Sequence, residues 1–135
     1  MYRDALSLAH VSFQGMRHRD GRPAIEHSIR VASKLDDPVL QVIGLLHDVV
    51  EDTTIELGEI EQGFGKRVAM AVGALTRGTD ELWDTYMRRV KENRDAILVK
   101  IADIEDNISR CHPNDKMWQK LPKYYEALRQ LRELV

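Results

Sequence analysis

Apolar residues in this chain recur at spacings of three and four, and strand-like alternation is almost absent. That period of about 3.6 residues is the signature of amphipathic helices, and it restricts the chain to helix-on-helix packing. The clearest case is "RDAILVKIADIEDNISR", where Ile97, Ile101, Ile104 and Ile108 make one core stripe. Breakers divide the rest. A first helix is expected from Tyr2 to about Met16, followed by a loop over "RHRDGRP" with Pro23 set to open the next helix. "PAIEHSIRVASKL" is expected to turn Ile25, Ile29 and Ala32 inward. Asp37 and Pro38 supply an N-cap and a first helical residue for a third helix, running to about Val50.

Further along, Thr53 with Glu56 has capping-box spacing for a short helix. "GFGKRVAMAVGALT" follows as a helix behind a glycine-rich start. "TDELWDTYMRRVKEN" is expected to face Leu82, Tyr86, Met87 and Val90 inward, with Trp83 also in the core. After "HPN", the last helix spans Lys116 to Leu134, with Trp118, Tyr124 and Tyr125 packing it down. The sum is one all-α domain over residues 1–135, a bundle of about seven or eight helices with short connections.

Composition excludes several classes. With 135 residues, 43% of them apolar and 31% charged, the chain can bury a real core. No apolar run nears the roughly 20 residues that span a bilayer. The opening "MYRDALSLAH" lacks the apolar core of a signal peptide. The single cysteine, Cys111, rules out an internal disulfide and any multi-cysteine zinc site, and it suits a reducing, cytoplasmic setting. Beside His112 it shows no nucleophile arrangement. A net charge of −2 argues against a nucleic-acid polymer as partner. The local basic run "MRHRDGR" could instead meet a small anion or simply be a solvated loop.

One helix carries an unusual polar face. In "GLLHDVVEDTT", Val42, Ile43, Leu45, Leu46, Val49 and Val50 fill one arc, and His47, Asp48, Glu51 and Asp52 fill the other. Periodicity alone fits either an ordinary surface helix or half of an active site. The polar arc holds no Lys or Arg, so its carboxylates lack partners one turn away. Like charges so placed raise one another's pKa unless a cation neutralises them, and a metal would do so. On "LVKIADIEDN", Asp103 and Asn107 share a face flanked by Lys100 and Arg110. His27, His47, Asp48 and Asp103 together form a mixed nitrogen and oxygen set suited to Mn²⁺, Fe²⁺ or Mg²⁺, with Zn²⁺ less favoured for want of thiolates.

The order H…HD…D on a helical chain resembles the HD-domain metal-dependent phosphohydrolases. "GLLHDVVEDTT", "FGKRVAMAVGALT", "VKIADIEDN" and "DGRPAIEHSIRVA" together are similar to the hydrolase domain of the RelA/SpoT family and to small alarmone hydrolases. The resemblance implies a metal, usually Mn²⁺, on His27, His47, Asp48 and Asp103. It implies that Glu51 and Asp52 assist the attacking water, that Asn107 contacts the nucleotide, and that His18 and Arg19 lie near the guanine base and phosphates. The implied reaction is hydrolysis of the 3′-pyrophosphate of ppGpp to GDP and pyrophosphate.

The residues support such chemistry on their own terms. Glu51 and Asp52 each stand one helical turn beyond His47 and Asp48, within reach of a proton on water or on a leaving oxygen. Arg17, Arg19, Lys100 and Arg110 could neutralise substrate oxygens. Departures from the family pattern are Phe13 and Met16, where relatives often carry His and Gln, together with Ala24 and Ser28. "ADIEDN" also replaces the "ADRLHN" of the long enzymes. These positions lie outside the implied ligand set and bear on which nucleotide is taken. The alternatives are an HD phosphohydrolase acting on a nucleoside monophosphate or cyclic nucleotide, and a non-catalytic metal or nucleotide sensor.

Overall fold

The computed structural model describes residues 1–135, all helix and connection. The elements are α1 (Tyr2–Ser12), α2 (Ala24–Ser33), α3 (Pro38–Leu46), α4 (Val49–Asp52), α5 (Leu57–Phe64), α6 (Lys66–Leu75), α7 (Trp83–Lys91), α8 (Arg94–Ser109) and α9 (Leu121–Glu133). A 3₁₀ helix (Lys116–Lys120) leads into α9. Eight of these helices have eight residues or more, and α4 is a single turn. No helix is long and apolar enough to cross a membrane.

Helix α3 is the centre of the molecule. Val42, Ile43, Leu45 and Leu46 are fully buried, and the helix packs against α1, α2, α6 and α8. Its start is set as expected: the Asp37 side chain accepts from the amides of Val39 (2.8 Å) and Leu40 (3.2 Å), with Pro38 next. Helix α8 starts on Asn93, whose side chain accepts from the Ala96 amide at 2.9 Å. Each such cap satisfies amides that the helix itself leaves open.

The structure moves several boundaries, and local causes are visible. Helix α1 ends at Ser12 because Phe13 turns into the core and Gly15 takes a left-handed φ of 81°. The third helix does not continue to Val50: it breaks at His47–Asp48, where the imidazole Nδ1–H donates to the Gly44 carbonyl at 2.6 Å. A side chain that takes a backbone acceptor competes with the helix ladder. The capping box is made by Glu56 and Glu59 rather than by Thr53 and Glu56. Thr53 instead donates to the Val49 carbonyl at 2.6 Å. The glycine-rich run becomes two helices, α5 and α6, joined at Gly65 with φ 91° and ψ 171°, a conformation essentially restricted to glycine.

Faces shift too. On α2 the buried side is His27, Ser28, Val31 and Ala32, while Ile29 is 38% exposed. Close approach to α3 causes this rotation: a Cβ on Gly44 would lie 3.2 Å from the Ala32 Cα. Leu82 is 73% exposed because it is the N-cap of α7 and precedes its inward face. Tyr86, Met87 and Val90 are buried as expected. Ile97 and Ile104 of α8 are buried, and Ile101 and Ile108 are partly so. Of the C-terminal aromatics only Tyr124 packs against the core; Trp118 and Tyr125 are exposed because the 3₁₀ helix changes the phase of the segment.

Candidate metal centre and active site

Three elements converge on one point. Helix α2 brings His27, the α3–α4 junction brings His47 and Asp48, and α8 brings Asp103. Ligand atoms of His27, His47 and Asp103 all lie within 4.8 Å of one another, and all three residues are buried. The His27 Nε2 is 2.9 Å from Asp103 Oδ1, and the His47 Nε2 is 3.4 Å from the same oxygen. Asp48 Oδ2 joins them, 3.2 Å from His47 Nε2 and 3.8 Å from His27 Nε2. The helix break at His47–Asp48 lets neighbouring residues point to one place, which successive positions on a regular helix do not.

Both imidazoles are held from behind. His47 Nδ1 bonds the Gly44 carbonyl and His27 Nδ1 bonds Asp106 Oδ2 at 2.7 Å, so both Nε2 atoms face the carboxylates. His47 Nε2 is a buried polar atom with no hydrogen-bond partner. Such an atom in an interior needs a partner, and an imidazole nitrogen among carboxylate oxygens, once it gives up its proton, fits a divalent cation of intermediate hardness.

The charges respond to this crowding. Burial opposes charge on His47, yet Asp48 and Asp103 raise its pKa well above the ordinary imidazole value. Burial likewise opposes charge on Asp103, but Lys100 and the two histidines hold its carboxyl well below the usual range. The Lys100 Nζ is 2.9 Å from Asp103 Oδ2 and sits 5.0 Å above the Tyr86 ring. Glu51 is raised, first by burial and then by Asp48, even though its Oε1 accepts from the Arg77 amide at 2.7 Å. Asp52 is raised to about 6 by burial, with Asp48 and Glu51 adding repulsion. Two carboxyls pushed above their ordinary range therefore stand beside the ligand cluster.

The basic loop lies across the same opening. A cavity of about 400 Å³ is lined by Met16, Arg17, His18, Arg19, Asp48 and Asp52 among others. His18 stacks on His27 with ring centroids 4.6 Å apart. Arg17 donates to the Gly21 carbonyl at 2.8 Å. Arg19 reaches Asp115 at 2.6 Å, the Asn107 side chain at 3.3 Å and the Asn107 carbonyl at 3.2 Å. Asn107 in turn donates to Asp103 Oδ1 at 3.1 Å. Arg110 lies further out and bonds Asp20 at 2.8 Å.

Sequence reasoning missed several groups here. Asp106 is buried between His27 and Arg30, and the i, i+3 spacings Asp103–Asp106 and His27–Arg30 were the available signal. Asp20, a half-buried residue with a well-covered side chain, ties the loop to Arg110. Lys123 stands 4.2 Å over the Trp83 ring, which Arg77 and Lys100 also approach, at 5.6 and 5.8 Å. Trp83 is thus a partly buried platform for cations as well as a packing residue. Nothing in helical periodicity marks that grouping, because α9 brings Lys123 to it from a distant part of the chain.

A helical bundle that gathers two imidazoles and two carboxylates from three helices, with two high-pKa carboxyls alongside, defines an HD-type hydrolase scaffold built for a divalent metal. The chain belongs to the HD-domain family, whose pattern it matches over residues 5–107. It is 33% identical to the zebrafish (Danio rerio) guanosine-3′,5′-bis(diphosphate) 3′-pyrophosphohydrolase MESH1, over 91% of this chain and 77% of that protein. It is 35% identical to the Escherichia coli bifunctional (p)ppGpp synthase/hydrolase SpoT over 78% of this chain, but this spans only 17% of SpoT. Among solved structures, a metazoan orthologue of SpoT described as hydrolysing ppGpp shares the fold, with a TM-score of 0.78 at 24% identity over 98% of this chain and 84% of that one.

Proposed function

We propose that this protein is a metal-dependent phosphohydrolase that removes the 3′-pyrophosphate of guanosine alarmones, converting ppGpp to GDP and pyrophosphate. The observation that carries this reading is the unpartnered His47 Nε2 among His27, Asp48 and Asp103, with Glu51 and Asp52 adjacent. Its likeness to MESH1 over most of both chains supports the choice of substrate.

His27, His47, Asp48 and Asp103 would hold the ion, with Mn²⁺ favoured over Fe²⁺, Mg²⁺ and Zn²⁺. When bound, it supplies neutralisation of phosphate oxygens and a more acidic water. The chain's own residues do the rest. Arg17, His18 and Arg19 line the cavity beside Asp48 and Asp52, where they orient a nucleotide and offset its charge. Asn107, beside Arg19, extends that surface, while Lys100 is buried against Asp103 and Arg110, just past the end of α8, is held by Asp20. Water adds to the phosphorus attached to the ribose 3′ oxygen, and the bond between that oxygen and phosphorus breaks. Glu51 and Asp52 take the proton from water and return one to the 3′ oxygen. Asp52, raised to about 6, can exchange a proton near neutral pH, and Glu51 is shifted in the same direction by burial and by Asp48. The single cysteine fits a cytoplasmic setting for this chemistry.

The test is a Mn²⁺-loaded assay across ppGpp, pppGpp, GDP, nucleoside monophosphates and cyclic nucleotides. Pyrophosphate is expected only from 3′-pyrophosphorylated guanosines. Phosphate released from monophosphates, or cyclic nucleotides opened, would move the protein to another HD activity. Bound metal with no turnover on any nucleotide would make it a sensor. Glu51→Ala and Asp52→Asn should each keep their metal and lose about 10²–10⁴-fold in turnover. Unchanged turnover in Glu51→Ala would remove that residue from the mechanism.

A further inference from the structure

We propose that Asp106, clamped by Arg30, is the positioning residue that sets the tautomer and orientation of His27. The inference rests on reading the cluster as a metal centre, and it concerns the only α2 side chain in that cluster. His27 is enclosed, and its two nitrogens face rival carboxylates: Nδ1 is 2.7 Å from Asp106 Oδ2, and Nε2 is 2.9 Å from Asp103 Oδ1. A neutral imidazole carries one N–H, so one of these contacts has no proton. If the proton sat on Nε2 it would donate to Asp103 and occupy the lone-pair position that a cation needs. If it sits on Nδ1, Nε2 is free to ligate. Asp106 is what makes the second arrangement competitive.

Three features suit Asp106 to this task. Its side chain is only 3% exposed, so water does not compete for it. Arg30 holds both of its oxygens, Nε to Oδ1 at 2.8 Å and Nη2 to Oδ2 at 3.1 Å, which fixes the carboxylate and balances its charge. It also stays outside the ligand-atom cluster, so its part is to orient a ligand rather than to be one. His47 is handled differently, by the neutral Gly44 carbonyl. A carboxylate behind an imidazole makes it the more basic donor of the two.

The direct test is long-range ¹H–¹⁵N NMR of His27 in the metal-free wild-type protein, at a pH above its titration. The proton is expected on Nδ1, with Nε2 bare; a wild-type Nε2–H tautomer would overturn the proposal. Asp106→Ala should move the proton to Nε2 and weaken Mn²⁺ binding, measured by calorimetry, by about 10–100-fold. Asp106→Asn keeps one oxygen that can accept from Nδ1, so it should hold the tautomer and recover part of the affinity. Equal Mn²⁺ affinity in wild type, Asp106→Ala and Asp106→Asn would also overturn it. If Asp106→Ala does not fold, the wild-type tautomer and Asp106→Asn decide. A wild-type protein that binds no divalent metal would defeat the functional reading, while the tautomer measurement still judges Asp106.

Discussion

Asp20 is a loop residue with a core residue's surroundings. Its side chain is 5% exposed, and it bonds Arg110 at 2.8 Å and the Arg22 amide at 2.9 Å. Burial alone would raise its carboxyl, but these partners pull it from 3.8 to about 2. A depressed carboxyl pKa stabilises the folded state above the unfolded value, and that contribution is lost as pH falls through the folded value. Asp20→Asn should therefore lower stability at neutral pH by about 1–2 kcal/mol, allowing for partial screening. The gap between mutant and wild type in denaturant melts should close as pH falls from 3.8 through about 2. A gap that stays constant over that range would show that charge is not what Asp20 contributes. The residue scale also separates chemistry from support: Asp48 and Asp103 face the histidine Nε2 atoms, whereas Asp106 holds His27 from behind and Asp20 ties the basic loop to Arg110.

At the scale of elements, the decisive contact is between α2 and α3. Gly44 lets the two helices approach so closely that an added Cβ would meet Ala32 Cα and Leu35 Cδ1 at 3.2 Å and the Ala32 amide nitrogen at 3.3 Å. Two of those atoms are backbone and cannot move aside alone. Gly44→Ala should force the helices apart at a cost of about 1–3 kcal/mol. Because His27 rides on α2, and Gly44 supplies the carbonyl behind His47, the same change should weaken Mn²⁺ binding. Thermal melting together with metal titration reads both effects; full metal affinity in a destabilised Gly44→Ala protein would show that the spacing serves packing only. The break at His47–Asp48 is the other element-level device. An uninterrupted helix would turn Asp48 about 100° from His47, whereas the observed junction brings both to one cluster.

For the whole molecule, the site exists only when α2, the α3–α4 junction and α8 are assembled. A cation that binds this arrangement and not the unfolded chain stabilises the fold by mass action. Mn²⁺ at a hundredfold excess over its Kd should add about 2.7 kcal/mol, visible as a higher Tm that a chelator reverses. His47→Ala should abolish the shift; an equal shift in that variant would place the metal elsewhere.

The all-helical class, the N-cap at Asp37, the Ile97 and Ile104 stripe and the pairing of "HD" with a later Asp were legible in the sequence, because each follows from spacing within one helix or from a resemblance carried by short motifs. Ile29 lies off the expected face because periodicity leaves phase open when His27 and Ser28 share the inward arc, and Leu82 because α7 starts only after it. Local sequence determined which segments are helices and which side chains carry ligand chemistry. Only the tertiary structure decided which nitrogen of His27 faces the cluster, that Asp106 and Arg30 stand behind it, and that Lys123 meets Trp83. Those facts depend on contacts between residues tens of positions apart, and such contacts are set by how helices approach one another, which no single helix encodes.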